Sequence, residues 1–175
     1  MGLDAVEIVM RWEETFGIRI ENSEAFELIT PKQAIDLIST KLCAVELPSF
    51  CPGLRAFHVF RRGIVQTTDG RVKLLPLNDR FHHLHKSEAA GTFWKHFSDV
   101  TGIANFKPPR ILFGSATVRK ALETILASHL RALLKPGEPW TRQLVRCGVR
   151  YGVVDIVGAR NFSDDARFVE DIGID

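Results

Sequence analysis

Four sets of side chains in this 175-residue chain carry chemistry that a functional site could use. They are the carboxylates Asp4, Glu7, Glu13 and Glu14, the run His82-His83-x-His85, Ser115 in Phe-Gly-Ser-Ala, and the thiols of Cys43, Cys51 and Cys147. Imidazoles are good metal ligands, but this run has no convergent Asp, Glu or Cys at ligand spacing, and no metal is expected. Ser115 sits in neither a Gly-x-Ser-x-Gly elbow nor an Asp-Ser-Leu context, so a helix cap is the simpler role. The cysteines are odd in number, widely spaced and without a Cys-x-x-Cys pair, which fits reduced thiols in the cytoplasm. None has an activating partner in sequence, and Cys147 falls on a half-buried helix face, so all three are expected to be inert. No catalytic constellation emerges, and the chain is not expected to be an enzyme. The early carboxylates line one side of a helix, as either a solvated face or a docking face for a basic partner.

With 45% hydrophobic and 25% charged residues, the composition is that of a soluble globular protein. No apolar run approaches the roughly 18 residues of a membrane span. The start carries Asp4 and Glu7 rather than a basic patch before an apolar core, so no signal peptide is expected. Although the net charge is only +2, it is strongly segregated. Residues 1–42 hold eight acids and four bases, residues 43–140 seven acids and fourteen bases, and residues 141–175 six acids and five bases. The basic middle with its nearby aromatics raises nucleic acid as a partner. No nucleic-acid motif supports it, and docking on an acidic face of the same or a second molecule uses the charge as well.

Helices must position these groups. Residues 3–16 read as amphipathic, with Leu3, Val6, Val9, Met10 and Phe16 as the apolar stripe and Asp4, Glu7, Arg11 and Glu14 opposite; Glu7 and Arg11 are spaced for an ion pair. A short helix follows over 23–28. Thr30-Pro31-x-Gln33 then starts a helix over Pro31–Leu42, with Ala34, Ile35, Ile38 and Leu42 inward. In the middle, helices are expected over 54–65, from Ser87 to Val100, and, behind a Ser115 cap, over Ala116–Leu134. A final helix runs from Thr141 to about Val157 with Leu144, Val145, Val149, Val153, Ile156 and Val157 inward. Gly148 and Gly152 weaken it by roughly 1 kcal/mol each relative to Ala. The fold class is therefore mostly α.

The last residues, Phe168-Val169-Glu170-Asp171-Ile172-Gly173-Ile174-Asp175, read directly into the first, Gly2-Leu3-Asp4-Ala5-Val6-Glu7-Ile8-Val9-Met10. Joined in that order they resemble the centre of bacterial acyl carrier proteins, Phe-Val-Glu-Asp-Leu-Gly-x-Asp-Ser-Leu-Asp-x-Val-Glu-Leu-Val-Met. The resemblance covers roughly residues 2–42 and 141–175, under half the chain. It implies an acyl-carrier-like four-helix bundle, circularly permuted, in which 1–42 supply the second to fourth helices and 141–175 the first helix and its loop. Residues 43–140 would be a small basic helical insert domain. The two ends must meet, within one chain or by exchange between two chains in a homodimer, and Asp175 should lie beside Gly2.

The family attaches phosphopantetheine to the serine that Gly2 replaces here. Glycine has no hydroxyl, so no cofactor is expected at that position. Leu3, Asp4, Glu7, Met10, Arg11 and Glu14 match the family's recognition surface and are the candidate partner-binding residues. The resemblance implies a non-enzymatic scaffold, decoy or regulator that contacts acyl-transfer or other carrier-dependent enzymes of fatty-acid or polyketide type. An alternative is a carrier modified at another serine, or one that holds an acyl or pantetheine group without a covalent bond.

Overall fold

The computed structural model describes residues 2–47, 51–80, 90–106, 110–111, 114–115 and 117–174. Among the described residues the protein is mostly helical. The α-helices are α1 (Leu3–Phe16), α2 (Asn22–Glu27), α3 (Pro31–Lys41), α4 (Pro52–Thr67), α5 (Ala90–Thr101), α6 (Val118–Ser128) and α7 (Arg142–Val157). A short antiparallel ladder pairs β1 (Arg110–Ile111) with β2 (Gly114–Ser115). No helix among the described residues is long and apolar enough to cross a membrane. The chain divides into two compact units, one of Met1–Pro52 with Leu126–Asp175 and one of Gly53–Ile125. Residues 43–52 and 126–140, which the charge pattern groups with the basic middle, thus belong to the unit that holds both ends.

In that unit α7 packs against both α1 and α3, so the two ends of the sequence meet within one chain. Local signals set the bounds of each helix. The Thr141 hydroxyl accepts from the Leu144 N–H at 3.2 Å and caps α7, and Gly158 stops it with φ +78°. Gly17, at φ +63°, ends α1. The expected capping box opens α3, with the Thr30 hydroxyl and Gln33 side chain bonding each other's backbone N–H groups. The core draws Ile8, Trp12, Thr15 and Phe16 from α1, Ala34, Ile35 and Ile38 from α3, and Leu144, Val145, Val149 and Val153 from α7. Full burial of a side chain such as Phe16 or Ile38 contributes about 1.5–3 kcal/mol.

The two glycines of α7 do more than weaken it. A Cβ built at Gly148 would lie 2.5 Å from Leu130 Cδ1 and 2.6 Å from Phe16 Cζ, and one at Gly152 would lie 2.9 Å from Trp12 Nε1. The missing side chains admit the rings of α1 and the 3-10 turn Leu130–Leu133 against the α7 backbone. Trp12 Nε1 donates to the Val149 carbonyl at 3.4 Å, and Thr15 Oγ1 donates to the Ala127 carbonyl at 2.8 Å, so both buried polar groups are satisfied.

Three expectations for the helices require correction. Leu3, Val6 and Met10 do not join the inward stripe of α1; they are 82%, 40% and 53% exposed. Packing on α7 selects the arc of Ile8, Trp12 and Phe16, and the largest rings take the closest approach. Arg11 does not pair with Glu7: its guanidinium turns toward α6 and α7, donating to Ser128 Oγ at 2.8 Å and standing 3.8 Å from an Asp155 carboxylate oxygen. Ser115 is not the residue that precedes the sixth helix: its backbone is part of β2, and the helix begins at Val118. Thr117 accepts from the Lys120 N–H instead, and the helix breaks at His129 before the 3-10 turn.

The second unit has an aromatic core. Phe97 stacks within 5.1–5.5 Å of Phe60, Trp94 and Phe106, all of them buried. Gly63 of α4 allows this approach, since a Cβ there would meet Thr101 Cγ2 at 2.4 Å and Phe97 Cε2 at 2.6 Å. The run His82-His83-x-His85 and the expected helix start at Ser87 lie outside the described residues.

Gly148→Ala should destabilise the protein although alanine is the better helix former. The propensity gain of about 1 kcal/mol is outweighed by overpacking of about 1–3 kcal/mol against Phe16 and Leu130. A thermal melt followed by circular dichroism should show a lower midpoint, and an unchanged or raised one would refute the close-approach account.

Candidate functional site

The candidate partner-binding residues separate by environment. Leu3, Glu7, Met10 and Glu14 share one exposed side of α1, at the three- and four-residue spacing that places side chains one above another. Val6 adds to this side. Asp4 is half-buried in the first turn, where its charge suits the positive end of the helix dipole. Arg11 is engaged by Ser128 and Asp155 and belongs to the internal packing rather than to the exposed side. Glu13 is likewise used locally, its Oε1 accepting the Ile20 N–H at 2.8 Å.

On the inward side of α1, away from this face, lies a cleft of about 280 Å³ that sequence reasoning did not anticipate. α1 supplies Gly2, Ile8, Val9 and Trp12, α2 and the following turn supply Phe26 and Ile29, and the C-terminal segment supplies Phe168, Val169 and Ile174. Its walls are mostly apolar, with Arg167 and Glu170 as the charged residues, paired to each other at 2.9 Å. Phe26 and Val169 remain 71% and 67% exposed, which extends the apolar surface beyond the cleft itself. A more polar groove of about 590 Å³ adjoins the cleft at Val9 and Ala25 and borders the exposed face, past Val6, Met10, Glu13 and Arg19. Gly2 and Ile174 line the same cleft; Asp175, expected beside Gly2, lies outside the described residues. Gly2 caps α1 with no side-chain hydrogen bond.

Two devices hold the C-terminal segment at the cleft. The Phe168 N–H donates to the Ile29 carbonyl at 2.9 Å, and the Phe168 ring stands 6.1 Å from Trp12. Upstream, Asp164 ties the loop to α7. Its carboxylate accepts from Arg146 Nε and, at 2.8 Å, from Arg150 Nη1, while Arg150 also donates to the Phe162 carbonyl and covers the Phe162 ring at 4.3 Å. Partial burial of Asp164 opposes ionisation. The hydrogen bonds from Arg146 and Arg150 and their positive charges outweigh it, holding the carboxyl below its ordinary value.

Cys43 and Cys51 are exposed, whereas burial, seconded by the neighbouring Cys51, pushes the Cys147 thiol up to about 12 against the pull of Arg146 and Arg150. Such a thiol has almost no thiolate at neutral pH. Among the described residues, no group of His, Cys, Asp and Glu side chains could hold a metal ion.

Two measurements follow from these environments. At mildly alkaline pH a disulfide-exchange reagent should titrate Cys43 and Cys51 promptly and Cys147 only slowly, with all three reacting in denaturant; equal rates in the native protein would contradict the burial of Cys147. Thermal stability should also fall on acidification in two stages. Burial, followed by the Arg11 charge, lowers His129 from its ordinary 6.5, so its contribution is complete above that value and is lost as pH drops through the folded one. Asp164, also lowered, acts above its ordinary 3.8 and is lost only below it. His129→Gln should flatten the first stage and Asp164→Asn the second.

No family model matches the chain, and no solved structure matches it.

Proposed function

We propose that this protein is a non-enzymatic, acyl-carrier-like docking module, in which the terminal segments form a permuted four-helix bundle around the insert and Gly2 occupies the serine position. The observation that carries the reading is the outer face of α1. A helix with Ile8, Trp12 and Phe16 buried has ample apolar surface for its own core. It nevertheless leaves Leu3, Val6 and Met10 in water, interleaved with the carboxylates of Glu7 and Glu14. Apolar anchors ringed by charge of one sign suit a partner with a complementary basic rim: burial of the anchors gives affinity, and the acids give orientation and rate. The resemblance of this stretch to carrier recognition helices points to carrier-dependent acyl-transfer enzymes of fatty-acid or polyketide type, which the module would occupy as a scaffold, decoy or regulator.

The cleft favours a second reading, non-covalent retention of an acyl or pantetheine group. Its apolar walls open beside Gly2, and at about 280 Å³ it suits a short alkyl chain better than a bulky ligand. Calorimetry with decanoic acid, against the same titration of Ile8→Trp, examines this reading directly.

The principal test is competition. Added to a genuine carrier protein, a phosphopantetheinyl transferase and coenzyme A, the chain should slow modification of the carrier while its own intact mass stays unchanged. Glu7→Lys combined with Met10→Ala should relieve that inhibition by roughly tenfold or more, the scale of one lost hot-spot contact. Gain of a phosphopantetheine by the chain, or no competition with any carrier-dependent enzyme, would overturn the proposal.

A further inference from the structure

We infer that the outer face of α1 in one molecule docks on the outer face of α4 in a second copy of this chain. The inference rests on the reading of α1 as a docking face and names its partner. Where α1 presents Leu3, Val6 and Met10 among Glu7 and Glu14, α4 presents the opposite charge on the same plan. None of its sixteen residues is acidic, and its exposed positions include Leu54, His58, Arg61 and Arg62. These four share one stripe, while Ala56, Phe60 and Ile64 fill the buried side. Leu54 is 55% exposed and stands as the one large apolar side chain among the arginines of this stripe.

The two stripes are also comparable in length. Leu3 and Met10, Glu7 and Glu14, and Leu54 and Arg61 are each separated by seven residues, a rise of about 10.5 Å along a helix. The acids of one face carry the charge opposite to the arginines of the other. The complementarity extends past the helices. Gly53–Ile125 carries twelve Lys and Arg against five Asp and Glu, whereas residues 1–42 carry eight acids against four bases. Each face is exposed on its own unit, although Arg61 also donates to the Lys73 carbonyl at 3.5 Å.

The contact joins unlike surfaces, and every copy owns both. Association therefore either closes on itself or continues to larger species. A contact built around one helix pair is small beside the ~1,200 Å² of stable complexes, so it should be weak and should depend strongly on salt.

Sedimentation velocity of the full chain tests the inference, from low to high micromolar concentration, at about 0.01 M and about 1 M salt, where screening lengths are ~30 and ~3 Å. The expected result is concentration-dependent association at low salt that disappears at high salt. Glu7→Lys with Glu14→Lys, and separately Arg61→Glu with Arg62→Glu, should each weaken it by roughly tenfold or more. A single chain carrying all four reversals should associate again, because a basic α1 then meets an acidic α4 and no unaltered face remains, an outcome that misfolding could not produce. The inference is overturned by a chain that stays monomeric, by association indifferent to salt or to either reversal, or by a fourfold reversal that does not recover. A monomer that shifts a nucleic-acid probe through Arg61 and Arg62 would likewise overturn it. If the monomeric chain still competes with a carrier through α1, the docking module stands and only the identity of its partner falls.

Discussion

The unit that holds both chain ends depends on a backbone approach with no side chain between. At Gly148 and Gly152 the α7 helix is bare, and Phe16, Trp12 and Leu130 occupy the space that methyl groups would take. That contact fixes which arc of α1 faces inward and therefore which arc faces water. The exposure of Leu3, Val6 and Met10 is a consequence of it: a helix with apolar residues around much of its circumference can bury only one side, and the largest rings take the side of closest approach. The features of α1 that bear on function are in this sense set by two glycines in a helix more than a hundred residues away.

A second level of organisation orients the C-terminal segment. Asp164 gathers Arg146 and Arg150 from successive turns of α7, and Lys32 N–H donates to its carbonyl at 2.8 Å, linking the loop to α3 as well. With Phe168 bonded to the Ile29 carbonyl, the segment is held along its length before it reaches the cleft. The cleft is thus walled by three stretches distant in sequence, each fixed by local chemistry of a different kind. Apolar packing holds α1, a capping box starts α3 and the turn preceding it, and charge-assisted hydrogen bonds hold the segment from Asp164 onward.

Much of this architecture was legible in the sequence, because caps and stops are local. Thr30-Pro31-x-Gln33, Thr141, Gly17 and Gly158 all act where their residue types predict. What was not legible depends on tertiary choice. Helical periodicity identifies an apolar stripe but does not say which members of a broad stripe will be buried, so Leu3 and Met10 were assigned to the wrong side. A propensity scale counts Gly148 as a weakness and cannot register the ring that fills its place. Arg11 had a partner at ideal spacing in Glu7, yet Ser128 and Asp155 prevailed because they lie on elements that α1 packs against. The cleft had no sequence signal at all, being assembled from α1, α2 and the C-terminal segment only once they fold.

The placement of Gly2 and Ile174 on one cleft has a consequence for anything joined to this chain. A polypeptide continued from either end would leave from the rim of the same apolar recess, already within reach of Trp12, Phe26 and Val169. Tethering of that kind replaces a bimolecular encounter by an intramolecular one, with effective concentrations of about a millimolar for a short flexible linker. An appended segment with one modest apolar side chain would therefore act as a resident occupant, and its removal would behave as the unblocking of a site.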